Sequence, residues 1–225
     1  MKGQIAVLGV GRFGYSLAST LYEMGHDVMA MDINEKRVQA ISPHVTHAVE
    51  GDATDEAVLR DVGIKDFEIA IVASGSAIED SVLSTLLLKK LGVRHVIARA
   101  INDLHGDILQ KIGADQVVFP QRDMGRKVAH GVTLIDVEDY IPLTQRYGVS
   151  KLPALPYLVG KRLSEVRFGR KGEHGIAVLL LQRKNEIIIN PGEKEIIHHD
   201  DTLILAGNDD KLAKLLANAK KKNGS

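Results

Sequence analysis

The stretch Ile5-Ala-Val-Leu-Gly-Val-Gly-Arg-Phe-Gly14 predicts a buried strand that runs into a Gly-x-Gly-x-x-Gly turn and then a helix. Glycines at positions 9 and 11 allow the sharp turn and let the backbone lie against a phosphate without a Cβ in the way. Gly14 lets the helix pack closely on the strand. The helix would offer unpaired N–H groups and the positive end of its dipole to an anion. We therefore predict a phosphate site built from backbone.

A second predicted strand, Asp27-Val-Met-Ala-Met-Asp32, ends on an acidic residue. The Asp32 carboxylate is placed to accept hydrogen bonds from both hydroxyls of a ribose, and its charge would repel a 2′-phosphate. The strand before the glycines, the helix after them and this acid are the context that a dinucleotide-type motif requires. The expected ligand is an adenosine nucleotide with a free 2′-OH, a description that fits NAD, ATP, ADP and AMP.

The composition excludes several classes of function. Lys plus Arg equals Asp plus Glu, at 29 each, so no net charge draws the chain to nucleic acid. The chain has no cysteine, which excludes disulfides, thiolate metal sites and cysteine nucleophiles. No run approaches the roughly 20 apolar residues that cross a bilayer. We expect a soluble protein without direct membrane insertion, which reaches a membrane only through a partner.

Predicted strands and helices alternate along the first 120 residues. After Asp32 the predicted strands are Val45 to Val49, Ile69 to Ala73, His95 to Arg99 and Gln116 to Phe119. The predicted helices are Glu35 to Ile41, a helix that begins after Thr54, Ile78 to Leu91, and Asp103 to Ile112. Asn34 and Thr54 are predicted to cap the first two of these helices, and a capping box at Ser76 to Glu79 is predicted to begin the third. Six strands alternating with helices predict an α/β fold, a Rossmann-type doubly wound parallel sheet.

The pattern changes beyond the sixth strand. Gln121 to His130 predicts a helix with a narrow apolar stripe of Met124, Val128 and Val132, which we expect to leave the sheet and cross to a neighbouring subunit. Short strands and a last helix from Asp209 then predict a smaller α+β domain. We expect a nucleotide-binding domain with its crossover helix over residues 1–135 and a second domain over residues 136–225.

Several motifs in this order resemble the cytosolic RCK subunits of bacterial Ktr and Trk potassium-uptake systems, the KtrA type most of all. They are Val7 to Gly14, Asp32 to Asn34, Gly51 to Thr54, Arg99-Ala100, and Ile112 to Asp115 followed by Pro120 to Gly125. The resemblance covers nearly the whole chain, since residues 137–218 resemble the RCK (TrkA) C-terminal domain. It implies a homo-octameric ring, a tetramer of dimers, on a membrane potassium-transporting pore subunit. ATP or ADP in each N-terminal domain would set the shape of the ring and hence the gate.

The resemblance also implies a location and a set of binding residues. The subunit would be cytoplasmic, peripheral at the inner face of the cell membrane through its partner, and not an enzyme. Arg12 would reach the terminal phosphates at a dimer interface, Arg99 would add a second phosphate contact, and Asp32 would hold the ribose. The candidate nucleotide-binding residues are Gly9, Val10, Gly11, Arg12, Phe13, Gly14, Asp32, Ile33, Asn34, Asp52, Ala53, Thr54, Ala73, Ser74, Gly75 and Arg99.

One position departs from the resemblance. KtrA relatives usually carry a glutamate after the proline, which helps bind a divalent cation near the γ-phosphates, and this chain has Gln121 there. An amide oxygen can still coordinate Mg²⁺ or Ca²⁺, but it brings no charge and should bind the cation more weakly. We therefore assign no metal ligand.

Two alternative functions stay open at this point. An NAD-dependent oxidoreductase could use the same sheet, but the rest of the chain supplies no plausible acid/base set over a nicotinamide. The resemblance also raises a cyclic di-AMP sensor, because some relatives bind this ligand in the C-terminal domain. Its candidate groove is formed by Ile187 to Ile189 and the turn Asn190-Pro-Gly192.

Overall fold

The computed structural model describes residues 3–74, 77–133, 137–144, 146–166, 168 and 175–223. The chain divides into two compact units, Met1–Gln121 and Arg122–Ser225. We call them the N-terminal and the C-terminal unit. The helix predicted over Gln121 to His130 falls almost entirely in the C-terminal unit in this division, and the domain boundary after residue 135 stays a prediction.

The N-terminal unit contains a six-stranded parallel sheet. Its strands are β1 (Gln4–Leu8), β2 (Asp27–Asp32), β3 (His47–Glu50), β4 (Ile69–Val72), β5 (His95–Arg99) and β6 (Gln116–Val118), in the order β3-β2-β1-β4-β5-β6. The α-helices between them are α1 (Arg12–Glu23), α2 (Glu35–Ile41), α3 (Glu56–Asp61), α4 (Ile78–Lys90) and α5 (Asp103–Lys111). This order confirms the predicted Rossmann-type sheet.

Both faces of this sheet are covered, which explains why its central strands are continuous apolar runs. Ala6 and Leu8 of β1 point into a core on one face, while Ile5 and Val7 point into a second core on the other face. Gly14 and Ala18 are the buried residues of α1, one helical turn apart. A polar residue in the middle of β1 would therefore be buried whichever way it pointed.

The starts of two helices differ from the prediction. Thr54 does not cap α3, because its hydroxyl donates to Asp52 Oδ1 at 2.7 Å, and the cap is Asp55, which accepts from the Ala57 N–H at 2.8 Å. The N-cap of α4 is Ala77, without a side-chain hydrogen bond, instead of a capping box from Ser76. Ser76 itself lies outside the described residues. The predicted Asn34 cap of α2 is confirmed, because Asn34 Oδ1 accepts a hydrogen bond from the backbone N–H of Arg37 at 3.3 Å.

The C-terminal unit is built on a five-stranded antiparallel sheet. Helix α6 (Pro120–Thr133) leads into β7 (Asp139–Pro142), β8 (Tyr147–Pro153), β9 (Ile176–Arg183), β10 (Glu186–Ile189), β11 (Asp201–Asn208) and α7 (Asp209–Asn223), with the strand order β10-β9-β11-β8-β7. This confirms the predicted smaller α+β domain. Among the described residues, no helix is both long and apolar enough to cross a membrane.

An ion-pair clamp joins two strands of this sheet. Arg183 of β9 donates through Nε and Nη2 to the two carboxylate oxygens of Asp201 of β11, at 2.9 Å each. The same guanidinium contacts the Glu195 carboxylate at 3.1 Å and the Ile196 carbonyl at 2.9 Å. Burial would raise the pKa of Asp201, but hydrogen bonds from Arg183 and from the His198 N–H outweigh it and lower the pKa. The clamp thus fixes the segment before β11 to the sheet.

Candidate nucleotide-binding site

A cleft of about 850 Å³ opens at the carboxyl ends of the parallel strands. It is lined from the ends of β1 to β5, and β1 and β4 are the neighbours at which the chain changes direction across the sheet. Loops that leave adjacent strands toward opposite faces leave a crevice between them, and this is where ligands bind in open α/β sheets. The N-terminal unit therefore has a binding crevice at the place its topology predicts.

The glycine turn has one position free for a ligand and two that are needed for packing. Gly9 has φ +96°, and a Cβ there would lie 2.7 Å from the Ser74 nitrogen. A Cβ on Gly14 would overlap the Gly9 carbonyl oxygen. Gly11, by contrast, has nothing within 4 Å of the position a Cβ would take. The backbone at Gly11 is thus the point that a phosphate can approach most closely.

The first turn of α1 has no acidic side chain of its own at the N-terminus that faces this space. Gly11 is its N-cap, no side chain caps the helix, and the first turn contains no acidic residue. The first N–H groups of a helix lack intrahelical acceptors, and with the helix dipole they favour an anion. The observed turn fits the backbone phosphate site expected from the motif.

Asp32 is buried at the end of β2, where its side chain is 5% exposed. Its Oδ2 accepts from the Val10 N–H at 2.7 Å, and its Oδ1 accepts from the Asn34 N–H at 2.9 Å. A third contact comes from Arg37 Nη1, 3.3 Å from Oδ2. The carboxylate therefore also braces the glycine turn against the start of α2.

Two arginines supply positive charge to the cleft. Arg12 is exposed at the start of α1, and its side chain has no hydrogen bond or ion pair within the described residues. Arg99, at the end of β5, reaches the Ala73 carbonyl only at 3.4 Å, and its guanidinium lies 5.9 Å from the centre of the Phe13 ring. The buried Arg99 Nε finds no acceptor among the described residues. Both side chains have unused donors for an anionic ligand.

Asp52 and Thr54 form a compact turn after β3. Asp52 Oδ1 accepts from the Thr54 hydroxyl at 2.7 Å and from the Thr54 N–H at 2.8 Å. These two hydrogen bonds lower the pKa of Asp52. Asp52 thus stays ionised at neutral pH and lines the cleft beside Asp32.

The structure brings most of the predicted binding residues together. The cleft is lined by Gly9, Val10, Gly11, Arg12, Asp32, Ile33, Asp52, Ala53, Thr54, Ala73, Ser74 and Arg99. Three predicted residues are not part of its lining. Phe13 packs in the core beneath Arg99, Gly14 is buried against Gly9, and Asn34 caps α2. Gly75 lies outside the described residues.

The predicted set of binding residues leaves out four polar side chains of the lining, namely Tyr15, Arg37, Asp80 and Ser84. The spacing of each of them along a helix could have indicated that it faces the cleft. Tyr15 follows Arg12 by three positions on α1, Arg37 follows the Asn34 cap by three, and Asp80 and Ser84 are one turn apart on α4. Arg37 matters most, because it contacts the acid that was expected to bind the ribose.

The helices beside the cleft are joined by a buried histidine. His105 of α5 lies 2.8 Å through Nε2 from the Ser81 hydroxyl of α4, while its Nδ1 is 3.4 Å from the Ile101 N–H. Since the Ile101 N–H can only donate, Nδ1 carries no proton and Nε2–H donates to Ser81. Burial lowers the pKa of His105 below its ordinary value of 6.5.

We expect this histidine to make the folded state less stable at acidic pH. The unfolded chain binds the His105 proton first, so the free energy of unfolding should fall as pH drops below 6.5, by up to about 1.4 kcal/mol per pH unit. Urea unfolding between pH 7.5 and 5 should show this slope, and His105→Gln should reduce it. His199→Gln, at a side chain 88% exposed, is the control and should leave the slope unchanged. Equal slopes in wild type and His105→Gln would contradict the assignment.

A metal site would require a cluster of side chains that could bind the ion. Within the described residues, no group of three or more His, Cys, Asp or Glu side chains could hold a metal ion. Gln121 lies exposed in the first turn of α6.

The fold and the cleft define a class: proteins with a Rossmann-type unit that carries a candidate nucleotide site, followed by a small antiparallel β unit. The model of the TrkA-N domain matches residues 5–120, and that of the TrkA-C domain matches residues 150–220. The two matched segments fall in the two compact units.

Two proteins from Bacillus subtilis (strain 168) are similar in sequence to this chain over most of its length. The chain is 41% identical over 207 residues to Ktr system potassium uptake protein C, covering 92% of this chain and 93% of that protein. It is 39% identical over 204 residues to Ktr system potassium uptake protein A, covering 91% of each. The chain belongs to the family of Ktr system potassium uptake proteins. This membership confirms the predicted family and the prediction that the chain is not an enzyme.

A solved structure shows the same fold at lower identity. The chain matches the structure described as the GsuK channel bound to NAD with a TM-score of 0.60 and 20% identity. The match covers 96% of this chain and 39% of that chain. At this identity the likeness concerns the fold.

Proposed function

We propose that this chain is a regulatory subunit that senses ATP and ADP in the cleft of its N-terminal unit and thereby gates a membrane potassium transporter. The observation that carries the proposal is the phosphate side of the cleft. It combines an open glycine, a helix N-terminus without acids and two arginines with unused donors. Family membership supplies the transport context.

The adenosine end of the ligand follows from the other side of the cleft. Asp32, Ile33, Asp52 and Thr54 line it at the ends of β2 and β3. A ribose beside Asp32 places its phosphates over the Gly9–Gly14 turn, as in other sheets of this type. The GsuK structure carries NAD, which contains an ADP moiety, so NAD belongs among the ligands to be tested.

Arg12 would distinguish ATP from ADP by binding the terminal phosphate that ADP lacks. Its exposed guanidinium at the start of α1 is free to reach a terminal phosphate, either in its own cleft or across a dimer interface. A triphosphate draws these cations together and a diphosphate leaves them unpaired, so the two ligands favour different dimer geometries. A coupling of about 1–3 kcal/mol per site would shift the population of a ring with several sites.

The proposed assembly is a homo-octamer, a tetramer of dimers, that sits on the pore subunit at the cytoplasmic face of the cell membrane. Helix α6 would cross to the neighbouring subunit, and its exposed residues Met124, Val128 and Val132 would be covered there. Native mass spectrometry with ATP and with ADP would count the subunits. The alternative of a cyclic di-AMP site near Ile187 and Ile189, which are both exposed in β10, stays a prediction.

Calorimetric titration tests the nucleotide site directly. We expect wild-type protein to bind ATP and ADP, and Arg12→Ala to weaken ATP about tenfold more than ADP, because one charge-assisted contact to the terminal phosphate is lost. Arg60→Ala is the matched control, since Arg60 pairs with Glu56 on α3 and does not line the cleft. It should bind both ligands like the wild type.

Two results would contradict the proposal. If only NAD binds and Arg12→Ala changes nothing, the triphosphate sensor is wrong. If neither ATP nor ADP binds while the protein is folded by circular dichroism, the cleft does not have the proposed function.

A further inference from the structure

The Arg37 guanidinium stands over the acid that lines the ribose side of the cleft. Its Nη1 is 3.3 Å from Asp32 Oδ2, and the arginine side chain is 56% exposed, against 5% for the aspartate. A guanidinium has five N–H donors. Within the described residues, this contact is the only side-chain hydrogen bond of Arg37. Most of its donors thus remain available at the mouth of the cleft.

The Asp32 carboxylate has little hydrogen-bonding capacity left. Its two oxygens offer about four acceptor positions, and the Val10 N–H, the Asn34 N–H and Arg37 occupy three of them. Gripping both hydroxyls of a ribose would require one of these contacts to break. The charge of Asp32 is also compensated by the guanidinium, so its repulsion of a nearby phosphate is reduced.

We propose that Arg37 forms a 2′-phosphate subsite, so that the cleft accepts adenosine nucleotides phosphorylated on the 2′ position as well as those with a free 2′-OH. A 2′-phosphate placed beside Asp32 would meet the unused donors of Arg37. A planar guanidinium is well suited to binding phosphate oxygens in pairs. This inference rests on the proposed nucleotide function of the cleft, and it replaces the expectation that Asp32 alone would exclude such ligands.

The test compares two ligands that differ only in the 2′-phosphate, AMP and adenosine 2′,5′-bisphosphate, by calorimetric titration. We expect wild-type protein to bind both, with dissociation constants within about tenfold of each other. Arg37→Ala and Arg37→Gln should weaken the bisphosphate at least about tenfold more than AMP. Arg37→Gln keeps a donor toward Asp32 but removes the charge. Arg60→Ala is the control and should leave the ratio of the two constants unchanged.

The outcomes separate this proposal from the one on which it rests. If wild-type protein binds AMP but not the bisphosphate, or if the Arg37 variants weaken both ligands by the same factor, the 2′-phosphate subsite is refuted while nucleotide binding stands. If wild-type protein binds neither AMP, ADP nor the bisphosphate, the proposed function fails and this inference fails with it.

Discussion

Replacing Arg183 by methionine is expected to lower the free energy of unfolding of the C-terminal unit by about 3–5 kcal/mol. The Asp201 side chain is 0% exposed and depends on Arg183 for two of its hydrogen bonds. Without the guanidinium, the buried carboxylate would retain, among its contacts to described residues, only the hydrogen bond from the His198 N–H at 2.7 Å. Arg183→Lys should lose about 1–2 kcal/mol, because an ammonium keeps the charge but cannot form the paired contact.

Urea unfolding followed by far-UV circular dichroism measures this loss, and hydrogen exchange of β9 and β11 shows where it acts. The matched control is Arg60→Met, which breaks the exposed pair with Glu56 on α3. That change should cost less than about 1 kcal/mol, because solvent screens exposed ion pairs. A loss below 1 kcal/mol for Arg183→Met would show that the clamp does not hold the sheet together.

The second large effect is expected from a pair of glycine substitutions in the phosphate turn. Gly14→Ala should destabilise the N-terminal unit by about 3 kcal/mol, at the upper end for overpacking, because the new methyl overlaps the Gly9 carbonyl oxygen. Gly11→Ala should cost no more than about 1 kcal/mol, the usual range for an N-cap change, because nothing lies within 4 Å of its Cβ position. Its methyl would instead occupy the space proposed for a phosphate.

The two variants should therefore separate folding from binding. Gly11→Ala should unfold near the wild-type urea concentration yet bind ADP about tenfold or more weakly, since backbone N–H contacts to a phosphate are lengthened. Gly14→Ala should unfold at a lower urea concentration than the wild type. If Gly11→Ala binds ADP as the wild type does, the phosphate does not lie on this turn.

The parallel sheet could be predicted because strands that are buried on both faces consist of continuous apolar residues. Ile5 to Leu8 and Ile69 to Val72 are uninterrupted apolar runs that each precede a helix, and strands of a parallel sheet covered on both faces have this pattern. Helix starts were harder to predict. Thr54 and Asp55 are both able to cap α3, and the choice fell to Asp55 because the Thr54 hydroxyl donates to Asp52.

The residues of the cleft that could be predicted are those at, or directly after, the carboxyl end of a strand. Gly9, Asp32, Ala73 and Arg99 stand at strand ends, and parallel strands bring their carboxyl ends to one edge. Residues that reach the cleft from the side of a helix, such as Tyr15 and Ser84, were missed. Their contribution depends on which face each helix turns toward the crevice, and that follows from packing on the sheet.

The sequence by itself determined the parallel sheet, the presence of a smaller α+β domain, the glycine turn and the family of the chain, because each follows from local patterns and spacings of residues. Only the tertiary structure decided how the charges of the cleft are shared. Asp32 and Arg37 pair because β2 and α2 bring a buried carboxylate within 3.3 Å of an exposed guanidinium. Arg12 and Arg99 keep unused donors because no described acid reaches them. Electrostatic pairing depends on distance and burial, which spacing along a chain does not specify.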